Sequence, residues 1–242
     1  MANLHSRRIA GSLAYWDAHP KRLIGAVGLN VHEFFDDFIF SGVASDAITG
    51  WSVTLVEAGG GESTITQPDG AGGKLLLTTD ANENDGVQMQ VTGESFGPVN
   101  TPSALYFGIR FQADEATQND IFAGLSITDT TVLATQPTDS IHLDKLDGVT
   151  AITGHINKNS TATDSASTAT MAAATNTIWE WYYDGLLTTP TVEFFVDGVS
   201  LGIVSGANLV DDELLTPTIA ILAGSAAVRT MTVDWLRVIE IP

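Results

Sequence analysis

Short runs of alternating apolar and polar residues fill the chain from Phe34 to the C-terminus, and turn residues separate them. A segment such as 120–128 has the length and the two-residue period of a β-strand. Asp-Gly pairs, as at Asp147-Gly148, supply the positive φ angles of tight hairpins. About fourteen strands are predicted, with no helical stretch between them. The pattern therefore predicts an all-β sandwich of two antiparallel sheets over residues 34–242.

Residues 1–33 form a predicted arm with a different pattern. Ile9, Leu13 and Trp16 recur at helical spacing, which predicts one short helix. The first 22 residues carry a net charge of +3, whereas the rest of the chain carries −22. Two interpretations are open: the helix packs on its own domain, or the arm docks on a neighbouring subunit or another protein. The residues predicted to make such a docking contact are Arg7, Arg8, Ile9, Leu13, Trp16, Lys21 and Arg22.

The composition restricts the partners and the chemistry. The chain holds 10 Lys and Arg against 29 Asp and Glu, a formal net charge of −19. Such an acidic chain is a poor ligand for nucleic acid or an anionic membrane, because both attract basic surfaces. It has no cysteine, so disulfides, thiolate metal sites and cysteine nucleophiles are excluded. We therefore predict no nucleic-acid partner, no membrane partner and no cofactor.

Two segments resemble a known superfamily. Residues 176–201 read NTIWEWYYDGLLTTPTVEFFVDGVSL, an aromatic strand followed by a strand that ends in Asp-Gly. Residues 231–239 read MTVDWLRVI. The pair is similar to a hairpin and to the last strand of concanavalin A-like lectins and glucanases. The resemblance implies a concanavalin A-like jelly roll, a fold that carries enzymes, lectins and structural modules alike.

The opening segment, MANLHSRRIAGSLAYWDAHPKRLI, resembles the start of tailed-phage proteins that join such an arm to a jelly roll. This resemblance implies a virion structural protein, specifically a head decoration protein on the capsid surface. Its expected partners are the major capsid protein and further copies of itself, in a homo-oligomer. The arm residues named above are then the expected attachment contacts.

The sequence predicts no catalytic residues. Family-16 glycosidases, to which the resemblance extends, place three acids on one strand as Glu-x-Asp-x-Glu or Glu-x-Asp-x-x-Glu, and this chain has no such run. Glu180 and Glu193 are the best-placed acids, on facing strands of the aromatic hairpin. They are either an acid pair across a groove or two exposed cross-strand residues. We therefore predict a protein that is not an enzyme, and keep a diverged polysaccharide hydrolase as a further alternative.

Glycan binding is the main alternative function. Trp179, Trp181 and Tyr183 alternate along one strand and so share one face. On an exposed face these rings would stack against sugars, for example a cell-surface glycan. On an inward face they would belong to the core of the sandwich. Both placements are compatible with the sequence.

One polar turn is a candidate calcium site. Residues 80–86 read DANENDG, and oxygen ligands at neighbouring positions suit Ca²⁺. The candidate ligands are Asp80, Asn82, Asn84 and Asp85. A polar hairpin loop explains the same residues without a metal, because Asx and Gly dominate turns. The sequence predicts no other metal site.

Overall fold

The computed structural model describes residues 4–39, 42–43, 47–69, 72–100, 102–205 and 208–242. These residues form nineteen strands and one short 3₁₀ helix, Pro98–Asn100. In chain order the strands are β1 (His5–Ile9), β2 (Ser12–Trp16), β3 (Leu23–Val27), β4 (His32–Asp36), β5 (Trp51–Val56), β6 (Thr64–Thr66), β7 (Leu75–Thr78), β8 (Gly86–Val91), β9 (Ala104–Ala113), β10 (Asn119–Ser126), β11 (Ser140–Lys145), β12 (Ala151–Lys158), β13 (Thr161–Asp164), β14 (Ala169–Thr170), β15 (Thr177–Asp184), β16 (Thr191–Val196), β17 (Val199–Ser205), β18 (Thr216–Ala223) and β19 (Thr230–Ile241). None of the helices in the described part of the chain has the length and apolarity to span a membrane.

Two large antiparallel sheets form the body, which confirms the predicted sandwich. Sheet I has the order β17-β16-β15-β9-β19-β7-β6, and β4 pairs with β19 beside this path. Sheet II has the order β13-β12-β11-β10-β18-β8-β5, and β14 pairs with β12. Strands that are distant in sequence are neighbours in both sheets, as β9 and β19 are. Each sheet therefore takes its strands from both halves of the sandwich sequence.

One continuous apolar core lies between the two sheets. It takes every second residue of the central strands, for example Ile141 and Leu143 of β11 and Trp179 and Trp181 of β15. The sheets approach closely at Gly154, where a Cβ atom would lie 2.3 Å from Cγ of Phe194. The alternation that predicted strands from the sequence therefore also separates the core side from the outer side.

The predicted helix of the arm is wrong: the structure has three strands there. β1, β2 and β3 form an antiparallel three-stranded sheet, here called the arm sheet. Its first hairpin turns at Ala10 and Gly11, whose φ angles are 45° and 87°. Two successive positive φ angles define the tight turn that joins strands in register. The spacing of Ile9 and Leu13, taken as helical, spans this turn and has no helical meaning.

The arm sheet covers the outer face of sheet I. Ile9, Ala14 and Leu23 of the arm are buried in a second apolar cluster. The sandwich contributes Tyr106 and Tyr182 to the same cluster, among others. The arm sheet therefore buries the outer faces of β9 and β15 around Tyr106 and Tyr182. β4 contains the predicted boundary between arm and sandwich, which falls between residues 33 and 34. The strand pairs with β19 of sheet I.

Candidate functional site

The arm binds the sandwich through an ion pair that is almost completely buried. Arg22 Nε donates to Oε1 of Glu180 at 2.6 Å, and a second guanidinium nitrogen bonds to Oε2. The hydroxyl of Tyr106 donates to the same Oε1 at 2.8 Å. The Glu180 side chain is 0% exposed, and that of Arg22 is 14% exposed. The guanidinium and the carboxylate thus lock β15 to the segment before β3.

The other predicted docking cations also make contacts inside the chain. Lys21 is paired with Glu193. Arg7 donates to the hydroxyl of Tyr182 at 3.1 Å, and Arg8 donates to the carbonyl of Gly11 in its own hairpin at 2.8 Å. These charges are engaged within the molecule, which favours the interpretation that the arm packs on its own domain.

The apolar docking residues fall into two groups. Ile9 is buried against the sandwich, so it has no surface to offer a partner. Leu13 and Trp16 are half-buried, and the ring of Trp16 stacks on His5 with centroids 4.3 Å apart. The predicted stripe of Ile9, Leu13 and Trp16 is therefore not a single exposed face.

Glu180 and Glu193 are neither an acid pair across a groove nor exposed cross-strand residues. Glu180 lies opposite Phe195, and Glu193 lies opposite Tyr182, so the two carboxylates are not facing partners. Burial raises the pKa of Glu180. The hydrogen bonds from Arg22 and its neighbours lower this pKa by more than burial raises it, so the net pKa is below the ordinary value. Glu180 is thus an ionised structural carboxylate.

Glycan stacking on Trp179, Trp181 and Tyr183 is excluded by their burial. The three side chains are 0%, 0% and 1% exposed. Trp181 stacks on Phe107 with centroids 5.9 Å apart, and Trp179 meets Phe111 edge to face at 4.8 Å. These rings belong to the core, as the alternative interpretation of the sequence had it.

The candidate calcium turn is held by its own hydrogen bonds. Asn82 Nδ2 donates to Oδ2 of Asp80 at 2.8 Å and to Oδ2 of Asp85 at 3.2 Å. Oδ1 of the buried Asp85 accepts the amides of Ala58 and Gly59. Asn84 lies in the left-handed region, with φ at 68°. The carboxylate oxygens of the predicted Ca²⁺ ligands therefore accept hydrogen bonds within the turn and from the loop at Ala58 and Gly59. These bonds explain the turn without a metal.

The outer face of sheet II carries an uncommon set of buried polar side chains. On β11, Ile141 and Leu143 face the core, so Ser140, His142 and Asp144 face outward. On β12, His155 and Asn157 lie opposite His142 and Ser140 and face the same way. The buried polar residues that the described strands place on this face are Gln88, Gln90, Ser126, Ser140, His142, Asp144, His155, Asn157, Thr216 and Thr218.

Four of these side chains and one neighbour form a connected cluster. His142 lies directly opposite His155 in the β11–β12 ladder, and their rings stack with centroids 5.1 Å apart. His155 Nε2 is 3.0 Å from Oδ1 of Asp144, and its Nδ1 is 2.8 Å from Oδ1 of Asp164 on β13. Ser140 Oγ is 3.0 Å from Nδ1 of His142. We call these five residues the histidine cluster.

The segment 127–139, here called the cover, lies on this face and bonds to side chains of β8, β11 and β12. Gln88 Oε1 accepts the amide of Val132 at 2.9 Å, and Gln90 Oε1 accepts the amide of Asp129 at 3.0 Å. Val132 packs on Phe122 of β10 in a small apolar cluster. Polar side chains of sheet II thus bind the cover, rather than solvent.

The cover leaves the edge of the histidine cluster open. The Asp164 side chain is 60% exposed, whereas that of His155 is 10% exposed. Gln136, an exposed residue of the cover, donates to Oδ2 of Asp144 at 3.2 Å. Solvent therefore reaches the cluster at Asp164.

Electrostatics divide the cluster into neutral and charged parts. Burial lowers the pKa of His142 to about 3, so its imidazole is neutral. Burial also lowers the pKa of His155, but hydrogen bonds to Asp144 and Asp164 outweigh burial, and the net pKa is raised. For Asp144, burial raises the pKa and the bond from His155 lowers it, with a net decrease. The imidazole of His155 thus lies between two carboxylates, an arrangement that favours its protonated form.

Sequence reasoning missed the histidine cluster. The run Ser140-Ile141-His142-Leu143-Asp144 places three polar side chains on one face of a predicted strand, which was the local signal. The partner, His155, is brought opposite by the register of β11 and β12.

Comparisons with known proteins support the fold. No sequence-family profile matches this chain, and no curated protein matches it. The solved endo-1,3-beta-glucanase from Streptomyces sioyaensis matches with TM-score 0.62 and 15% identity, covering 90% of this chain and 99% of that one. The carbohydrate recognition domain of Emp47p matches with TM-score 0.58 and 10% identity, covering 87% of this chain and 95% of that one.

A GH16 protein of a Bacteroides ovatus mixed-linkage glucan PUL, solved with its G4G4G3G product, matches with TM-score 0.57 and 12% identity. The match covers 85% of this chain and 99% of that one. At such identities the likeness concerns the fold. The chain has the concanavalin A-like lectin and glucanase fold that its hairpin and last strand resembled.

Proposed function

We propose that this protein binds carbohydrate, and that its site is the open edge of the histidine cluster. The observation that carries the proposal is the pair of carboxylates, Asp144 and Asp164, joined by His155 at the gap in the cover. The hydroxyls of a sugar are hydrogen-bond donors, and the exposed carboxylate of Asp164 is a strong acceptor for them. Gln136 adds an amide at the same opening.

Binding is favoured over hydrolysis by the charge state of the site. A retaining or inverting glycosidase needs one carboxyl whose pKa is raised, so that it donates a proton to the leaving oxygen. Among the described residues, the pKa is raised by burial at Asp120 and Glu240, and neither bonds to the cluster. Asp120 accepts the amide of Asp147 instead, and Glu240 that of Gly97.

A glycan array, followed by calorimetry with the best-bound oligosaccharide, tests the proposal. We expect Asp164→Asn and Gln136→Ala to weaken binding at least about tenfold, because each removes a charge-assisted or direct bond at the opening. Glu83→Gln is the matched control, since Glu83 is an exposed carboxylate before β8 and lies outside the cluster. Equal affinity for Asp164→Asn and the wild type would refute this site.

The same preparation separates binding from hydrolysis. The wild type is assayed for release of reducing ends from β-glucans. If it releases them, and Asp144→Asn abolishes the release while the fold is retained, the protein is a hydrolase and the binding proposal is refuted. Attachment to a capsid stays a prediction from the opening segment. Arg7, Lys21 and Arg22 bind the sandwich, so such docking would need other residues.

A further inference from the structure

We propose that His142, Asp144 and His155 form a binding site for a divalent transition metal of the Zn²⁺ type. One ligand atom from each residue lies within 4.8 Å of the other two. All three residues are buried. The proposal does not require that a glycan binds, and it is tested on the protein alone.

The strongest observation is a nitrogen without a partner. Nε2 of His142 is buried and has no hydrogen-bond partner among the described residues. It points into the cluster, where Oδ2 of Asp144 is 4.0 Å away, beyond hydrogen-bonding distance. A buried polar atom that lacks a partner is unfavourable, and in native proteins it calls for an explanation. A metal ion between Nε2 and the carboxylate removes the deficit.

The groups around the three ligands would orient them for a metal. When Nδ1 of His142 donates to Oγ of Ser140, Nε2 presents its lone pair to the cluster. Nδ1 of His155 bonds to Asp164 in the same way, leaving Nε2 for the metal. Metal-bound histidines usually donate their second nitrogen to a carboxylate or another acceptor. Gln136 completes the set by donating to Asp144.

Binding requires a small contraction and the loss of one proton. With Zn–N and Zn–O bonds of about 2.0–2.2 Å, ligand atoms in a tetrahedral site lie about 3.3 Å apart. The metal takes the place of the proton on Nε2 of His155, and that proton leaves to solvent. Asp144 then exchanges its bond from His155 for a bond to the metal.

The ligand set selects the kind of metal. Two imidazoles and one carboxylate suit Zn²⁺, Co²⁺, Ni²⁺ or Cu²⁺, whereas Ca²⁺ and Mg²⁺ prefer sites made only of oxygen ligands. Three protein ligands leave a fourth position. A water or a hydroxyl of a bound molecule would be the natural ligand there.

Metal titration of the full chain, without an affinity tag and after treatment with a chelator, tests the site. We expect calorimetry with Zn²⁺ to show one site per chain, and Co²⁺ to give the intense visible bands of tetrahedral coordination. His142→Ala removes a ligand, and we expect at least about 100-fold weaker binding. His142→Phe also removes the nitrogen but keeps a ring to stack on Phe122, in case the alanine variant does not fold.

His32→Ala is the matched control, because His32 is an exposed imidazole on β4 at the opposite sheet. Its affinity for Zn²⁺ should equal that of the wild type. Asp164→Asn should weaken binding about 10- to 100-fold, as expected for a group that orients a ligand. No saturable site in the wild type, unchanged affinity in both His142 variants, or loss of binding in His32→Ala would each overturn the proposal. Metal binding without any glycan binding would refute only the proposed function.

Discussion

Replacing Arg22 by methionine should destabilise the whole domain. The change keeps most of the side-chain volume but leaves the carboxylate of Glu180, which is 0% exposed, without its cation. Removing one partner of a buried ion pair costs about 3–5 kcal/mol. The hydroxyl of Tyr106 still donates to Glu180, so we expect the lower end, about 3 kcal/mol. For a domain of this size that corresponds to a decrease in Tm of about 6–12 °C.

Guanidinium denaturation followed by circular dichroism measures the free energy of unfolding of four proteins. Arg8→Met is the control, because Arg8 is an exposed cation of the same arm and its loss should cost less than about 0.5 kcal/mol. The double variant Arg22→Met/Glu180→Gln removes the buried charge and should recover at least half of the loss. A cost below about 1 kcal/mol for Arg22→Met, or no recovery in the double variant, would show that the pair is not what holds the arm.

Four further outcomes are expected. Deleting residues 1–27 removes the arm sheet, uncovers the apolar outer face of sheet I and should give a protein that binds a hydrophobic dye and melts without cooperativity; a cooperative melt at the original Tm would contradict this. The pKa of Glu180 is lowered on folding, so its stabilisation is present above the ordinary pKa of 4.5 and is lost as pH falls through the folded value; urea midpoints between pH 3 and 6 should fall more steeply for the wild type than for a Glu180→Gln variant. The pKa of Glu240 is raised by burial, so its ionisation destabilises the fold as pH rises above 4.5, and Glu240→Gln should raise Tm at pH 7, measured by calorimetry. Gly154→Val forces a Cβ atom with two methyl groups against the ring of Phe194 and should cost about 1–3 kcal/mol, which equal denaturation midpoints would disprove.

The sandwich could be predicted from the sequence because its signals are local. Alternation and Asp-Gly turns depend on neighbouring residues, and the turn at Asp197-Gly198 indeed lies between β16 and β17. The arm was mispredicted because the helical spacing of Ile9, Leu13 and Trp16 is a coincidence: the turn at Ala10-Gly11 separates Ile9 from the other two. Local patterns specify where strands are, but three matches do not separate a helix from a hairpin.

The placement of the aromatic strand could not be predicted for a different reason. Alternation shows that Trp179 and Trp181 share one face and that Glu180 and Tyr182 share the other. It does not show which face is covered, and in this fold both are, because the arm sheet lies on one side and sheet II on the other. The histidine cluster depends likewise on pairing between strands, which the sequence of each strand does not specify.

The hydrogen bonds that hold segment 127–139 have an evolutionary consequence. Gln88 and Gln90 bind peptide groups of the segment, at Asp129, Val132 and Ile127, and so recognise its backbone. Because these bonds use peptide groups, replacements that avoid proline at Asp129 and Val132 and keep the buried side chain of Val132 retain the groups that form them. The segment can therefore accumulate substitutions at its exposed positions other than Gln136, which bonds to Asp144, while it stays attached to the same two glutamines. It is a natural place to graft foreign peptides or randomised libraries onto this scaffold.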